Sequence, residues 1–158
     1  LAAAGLVTLT PNRGARVAII TEVDLDQGFP VMGALEALAG ELAAKCMTDA
    51  ELAAIERLHS SMLDAYRAGH LKAYFRANEA IHDAILAAAR NPTLSHQYRQ
   101  LSARVRRSRY VAQMSPAHWA SAVADHEEMI AALRKRDARK LATVLKRHVA
   151  RKREMVAL

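Results

Sequence analysis

From Val31 onward, apolar side chains return every three or four positions, the spacing that aligns them along one face of an α-helix. Six such segments follow one another. The first covers about residues 31–46, with Val31, Leu35, Leu38 and Leu42 inward. The second, about 49–68, opens on the capping-box pair Thr48 and Glu51, carries the stripe Leu52, Ile55, Leu58 and Met62, and stops at Gly69. The third runs over about 70–90 with Leu71, Tyr74, Phe75, Ile81 and Ile85 on its inner face. Asn91 and Pro92 open the fourth, about 92–113, built on Leu94, Tyr98, Leu101 and Val105. Ser115 and Pro116 start the fifth, about 116–135, on Trp119, Ala122, Val123, Met129, Ile130 and Leu133. Asp137 caps the sixth, about 138–156, on Leu141, Val144, Leu145 and Val149. The short connections predict an all-α fold, an antiparallel bundle of about six helices.

The first thirty residues break this rhythm. Leu6 to Leu9 and Arg16 to Ile20 have the character of short strands around a turn at Pro11, Asn12, Arg13 and Gly14. A two-stranded hairpin is not stable alone, so residues 1–20 are expected to be the remnant of another domain. Residues 21–30, ending on Gly28 and Pro30, have the composition of a linker, which leaves 31–158 as the helical domain.

Composition agrees with packed helices: 52% of residues are apolar, and Gly and Pro are few. The sequence contains neither an uncharged apolar run of membrane-spanning length nor a secretory n- and h-region. The single Cys46 excludes an internal disulfide framework. It fits a reducing, cytoplasmic setting, and its place on an apolar stripe predicts a core residue. Lys and Arg outnumber Asp and Glu by 23 to 16, a net charge of +7, with clusters at Arg104 to Arg109 and Arg134 to Arg153. Such clusters suit a polyanion or an acidic small molecule, or simply a solvated helix face.

The candidate chemistry lies in four polar residues on the apolar stripes. Asn78 and His82 share one face of the third helix, His126 falls on the stripe of the fifth and His148 on that of the sixth. Buried without partners, such groups cost on the order of a few kcal/mol each, and one divalent cation would satisfy all four. Three imidazoles and an amide oxygen suit zinc first, with nickel, manganese or Fe(II) as alternatives, and leave positions open to water or a carboxylate. His59, His70, His96 and His118 sit near stripe edges or helix ends and are expected to be solvated or capping. The alternative function, a metal-dependent enzyme in a helical bundle, lacks its usual signatures. Glu79 to His82 is the only Glu-x-x-His spacing in the expected core, where a di-iron bundle needs a pair; His126-Glu127 lacks the second His of a zincin helix, and no nucleophile has an evident base, so an enzyme is not expected.

Asn78-x-x-x-His82, then His126, then His148, resembles the metal-binding C-terminal effector domain (FCD) of FadR-subfamily GntR transcription regulators. Flanking residues agree: Leu35-Glu36; Gly69 before Tyr74; Asn91 and Leu94; His126 followed by Ile130 to Ala132; then Arg136 to Ala138. Gly5 to Val7 and Pro11 to Val17 resemble the wing of the family's winged helix-turn-helix. The resemblance implies a homodimeric, ligand-responsive transcription regulator. Its helical domain would bind a divalent metal through Asn78, His82, His126 and His148, together with a small organic acid. Operator DNA would be bound by the N-terminal domain, mostly absent here, with Asn12, Arg13 and Gly14 on the wing. The family commonly has Asp where this chain has Asn78, Phe where it has Ile81, and Arg where it has Met32. Arg104, beside the inner stripe of the fourth helix, is the candidate to replace that Arg as effector contact.

Overall fold

The computed structural model describes the backbone of residues 7–10, 14–17, 21–105 and 115–155, with side chains for 21–103 and 115–155. Among the described residues six helices form the expected all-α bundle: α1 (Glu22–Cys46), α2 (Asp49–Arg67), α3 (Leu71–Ala88), α4 (Pro92–Val105), α5 (Pro116–Arg134) and α6 (Ala138–Glu154). Ahead of them, β1 (Val7–Thr10) and β2 (Gly14–Val17) pair antiparallel, Val7 opposite Val17 and Thr10 opposite Gly14. Asn12 and Arg13, the expected tip of this hairpin, lie outside the described residues, as do positions 106–113, which the sequence assigned to the fourth helix.

The expected linker at 21–30 is instead the first part of α1. Thr21 and Asp24 form a reciprocal capping box, the Thr21 hydroxyl accepting from the Asp24 N–H at 3.2 Å and Asp24 accepting from the Thr21 N–H at 2.9 Å. Leu25 and Phe29 then bury completely or nearly so, which outweighs the helix-weakening Gly28 and Pro30. The inner face of α1 also differs from expectation. Val31 and Leu38 are 52% and 42% exposed, whereas Met32, Glu36, Ala39 and Ala43 are buried. Leu35 and Leu42 pack against the core as expected, but where α1 comes nearest α6 the seam runs over the small residues Gly33 and Gly40.

That seam belongs to α1 and α6, the most extensively packed pair although they lie at opposite ends of the helical chain. A Cβ on Gly33 would meet the Lys146 carbonyl oxygen at 3.6 Å, and one on Gly40 would meet Leu145 Cδ1 at 2.5 Å, so the two helices approach where side chains are missing. The α2–α3 and α5–α6 pairs close the bundle. Cys46, expected in the core, is exposed at the last position of α1, and Met47 beside it is buried in its place.

Three helices end on residues in the left-handed region: Gly69 (φ 68°), Arg90 (φ 54°) and Arg136 (φ 53°). The two arginines carry strain that Gly avoids, and each is tied down. Arg90 bonds Glu51 at 2.7 Å, and Arg136 bonds Asp49 at 2.8 Å and the Met47 carbonyl. Much of the basic run of the last two helices is likewise paired with acids. Arg134 meets Glu56, Lys140 meets Glu128, Arg147 and Arg151 meet Asp125, and Arg153 meets Glu22 and Asp26.

Candidate metal centre

Asn78, His82, His126 and His148 are all buried, with relative exposures of 3, 5, 0 and 1%. Helices α3, α5 and α6 deliver them to one place, because each residue continues the apolar stripe of its helix toward the core. The three imidazole centres stand 4.8–5.2 Å from one another, and each ring offers a nitrogen within 4.8 Å of the others. An imidazole held through nitrogen at about 2.1 Å places its ring centre roughly 3.2 Å from an ion, so neighbours at 90–110° stand about 4.5–5.2 Å apart. Asn78 Oδ1 lies 2.8 Å from His126 Nε2. That separation suits either an N–H···O hydrogen bond or two adjacent ligands, which at right angles sit roughly 3 Å apart. The residues fit a divalent cation in donor type, burial and spacing.

Two buried carboxylates back the rings, and the sequence analysis assigned neither a role here. Glu36 of α1, 2% exposed, accepts from His82 Nδ1 at 2.9 Å and from the Tyr98 hydroxyl. Asp125 of α5, 1% exposed, stands 3.4 Å from His148 Nδ1. It also accepts from Arg147 Nε at 3.0 Å, Arg147 Nη2 at 2.7 Å and Arg151 Nη1 at 2.7 Å. A carboxylate on Nδ1 of His82 favours the tautomer that leaves the lone pair on Nε2, whereas Asp125 approaches His148 without a hydrogen bond between Oδ2 and Nδ1. Glu36 was visible in the sequence only as half of the Leu35-Glu36 pair, and Asp125 only as the neighbour of His126.

Burial alone would raise the Glu36 carboxyl. His82, by charge and hydrogen bond, outweighs it with help from Lys152 and Tyr98, and lowers it from 4.5 to about 2. His126 moves the other way for a base: burial, then the like charges of His82, Lys152 and His59, hold it well below 6.5. Glu36 therefore contributes stability that is present above about pH 4.5 and lost only as pH falls toward 2. His126 stays neutral when folded, so below about pH 6.5 the unfolded chain takes up a proton that the folded one does not. Stability is expected to fall between pH 7 and 5, by up to about 1.4 kcal/mol per pH unit for this proton. Urea melts across that range check it, and His126→Gln should flatten the profile.

His59, expected to be solvated, is buried at 9% exposure, and burial lowers its pKa. Its Nε2, His126 Nδ1, the Tyr74 hydroxyl and Trp119 Nε1 are buried with no hydrogen-bond partner among the described residues. Tyr74 lies one turn before Asn78, and its ring meets that of Trp119 edge-on at 5.3 Å. Orphaned polar atoms are uncommon in native cores and point to a polar guest. Met32 is buried; the side chain of Arg104 and the wing residues Asn12, Arg13 and Gly14 fall outside the described side chains. No helix among the described residues is long and apolar enough to cross a membrane.

The FCD domain family model matches residues 27–151. Among solved structures, E. coli McbR/YncC matches with a TM-score of 0.82 at 20% identity, covering 96% of this chain and 77% of that one. Streptococcus agalactiae GntR matches with a TM-score of 0.71 at 17% identity, covering 97% and 76%. A metal-free FCD domain of TM0439 matches with a TM-score of 0.71 at 14% identity, covering 87% and 94%. At these identities the likeness is one of fold. No curated protein matches the sequence.

Proposed function

Because the chain belongs to the FCD domain family of GntR-type transcription regulators, we propose that it is a sensor. In this proposal Asn78, His82, His126 and His148 hold one divalent cation, zinc first among the candidates, and a small carboxylate is the signal. The observation that carries this is the convergence of three buried imidazoles with ring centres 4.8–5.2 Å apart, beside an amide oxygen. The cation, when bound, supplies a Lewis-acidic centre with positions open to a carboxylate oxygen. Glu36 orients His82, and Asp125 lies beside His148. The orphaned Tyr74 hydroxyl and Trp119 N–H are donors suited to the remaining polar atoms of an acid. The family consists of regulators, which sets aside the metal-dependent enzyme.

Because α1, α3, α5 and α6 all contribute to the centre or its supports, an acid that favours one arrangement of these helices biases their packing. We assign the output to operator DNA, bound by the N-terminal domain of a homodimer. Cobalt supplies the test. The chain, stripped with chelator, is expected to take up one Co(II) per molecule and to change its visible absorption when acetate is added. Failure to bind cobalt or zinc rejects the cation site; a bound ion whose spectrum ignores acetate rejects the carboxylate.

A further inference from the structure

Lys152 lies one helical turn beyond His148 on the same face of α6. Its Nζ stands 3.1 Å from His82 Nε2, while the other nitrogen of that ring is 2.9 Å from Glu36 Oε2. With Nδ1 donating to the carboxylate, Nε2 carries the ring's lone pair and accepts an N–H from the ammonium. A lone pair serves one electrophile at a time. The atom through which His82 can hold a cation is therefore the atom that Lys152 engages.

We propose that Lys152 is a tethered competitor for the cation, setting the concentration at which the centre fills. This rests on the cation site proposed above. A divalent ion on His82 must displace the ammonium, and an ammonium left within a few ångströms repels it through a poorly screened interior. The helix cannot easily withdraw the lysine, because Arg153 beside it is anchored to Asp26 at 2.8 Å and to Glu22 at the start of α1. The flexible four-carbon stem must swing instead, and Lys152, half-buried in the last turn of α6, has solvent within reach.

Zinc titrations of the chelator-stripped wild type, Lys152→Met, Lys152→Gln and Lys146→Met test this. Lys146→Met removes the same charge from α6 at a position packed over Gly33, away from the histidines. Both Lys152 variants are expected to bind zinc about tenfold more tightly or better, and Lys146→Met within about twofold of wild type. Two variants at 152 guard against one that fails to fold. Lys152 variants no tighter than a wild type that does bind zinc would overturn the competitor while leaving the cation site standing, as would an equal gain in Lys146→Met. Zinc binding by none of the proteins would remove the cation site itself, and the competitor with it.

Discussion

His148→Ala is expected to weaken zinc binding at least about a hundredfold while leaving the helices formed. His148 is 1% exposed, its ring stacks 5.2 Å from that of His82 and lies 4.8 Å from that of His126, and it is the sole member of the cluster from α6. The loss exceeds that of one donor because α6 then no longer shares in the centre, and the remaining groups sit on α3 and α5 alone. Isothermal titration with zinc measures the change, and circular dichroism confirms the helices. Undiminished affinity would mean that the ion is held elsewhere.

Asp125→Ala is expected to destabilise the fold by about 2–3 kcal/mol, read as a lower urea midpoint at unchanged slope. The carboxylate is buried at 1% exposure and accepts three guanidinium hydrogen bonds of 2.7–3.0 Å from Arg147 and Arg151. Its removal leaves cationic groups facing a cavity. The cost falls toward the low end for a buried ion pair because the two arginine side chains are 34% and 42% exposed and can turn to water. Asp125→Asn, which keeps the shape but not the charge, should lie between. A variant as stable as wild type would show that the arginines find equal partners without it.

The helices were legible because their signals are local. The capping residues Thr48, Ser115 and Asp137 sit where expected, and apart from the start of α1 and the end of α4 the described helix ends agree with the sequence within about two residues. The first turns of α1 were not legible, since Gly28 and Pro30 argue against a helix that the burial of Leu25 and Phe29 imposes. The same split holds at the centre. Asn78, His82, His126 and His148 stood out as polar residues on apolar stripes, and the structure brings all four together. Glu36, Asp125 and Lys152 did not, because an acid or a lysine at a helix position carries no mark of its distant partner. Their roles come from pairings across 22 to 70 positions of chain, fixed by how α1, α5 and α6 lie against one another. The basic run from Arg134 to Arg153 misled in the opposite sense: its charge is visible in the sequence, and the acids that pair with most of its arginines are not.

Gly33 and Gly40 flank Glu36 on the side of α1 that meets α6, where a Cβ at position 40 would lie 2.5 Å from Leu145. Two rods pressed together this closely have no slack, and a packed interior transmits strain instead of absorbing it. In mechanical terms α1 and α6 form a stiff beam, not a hinge. That beam runs past the histidines over the length of α1, from its cap at Thr21 to Cys46.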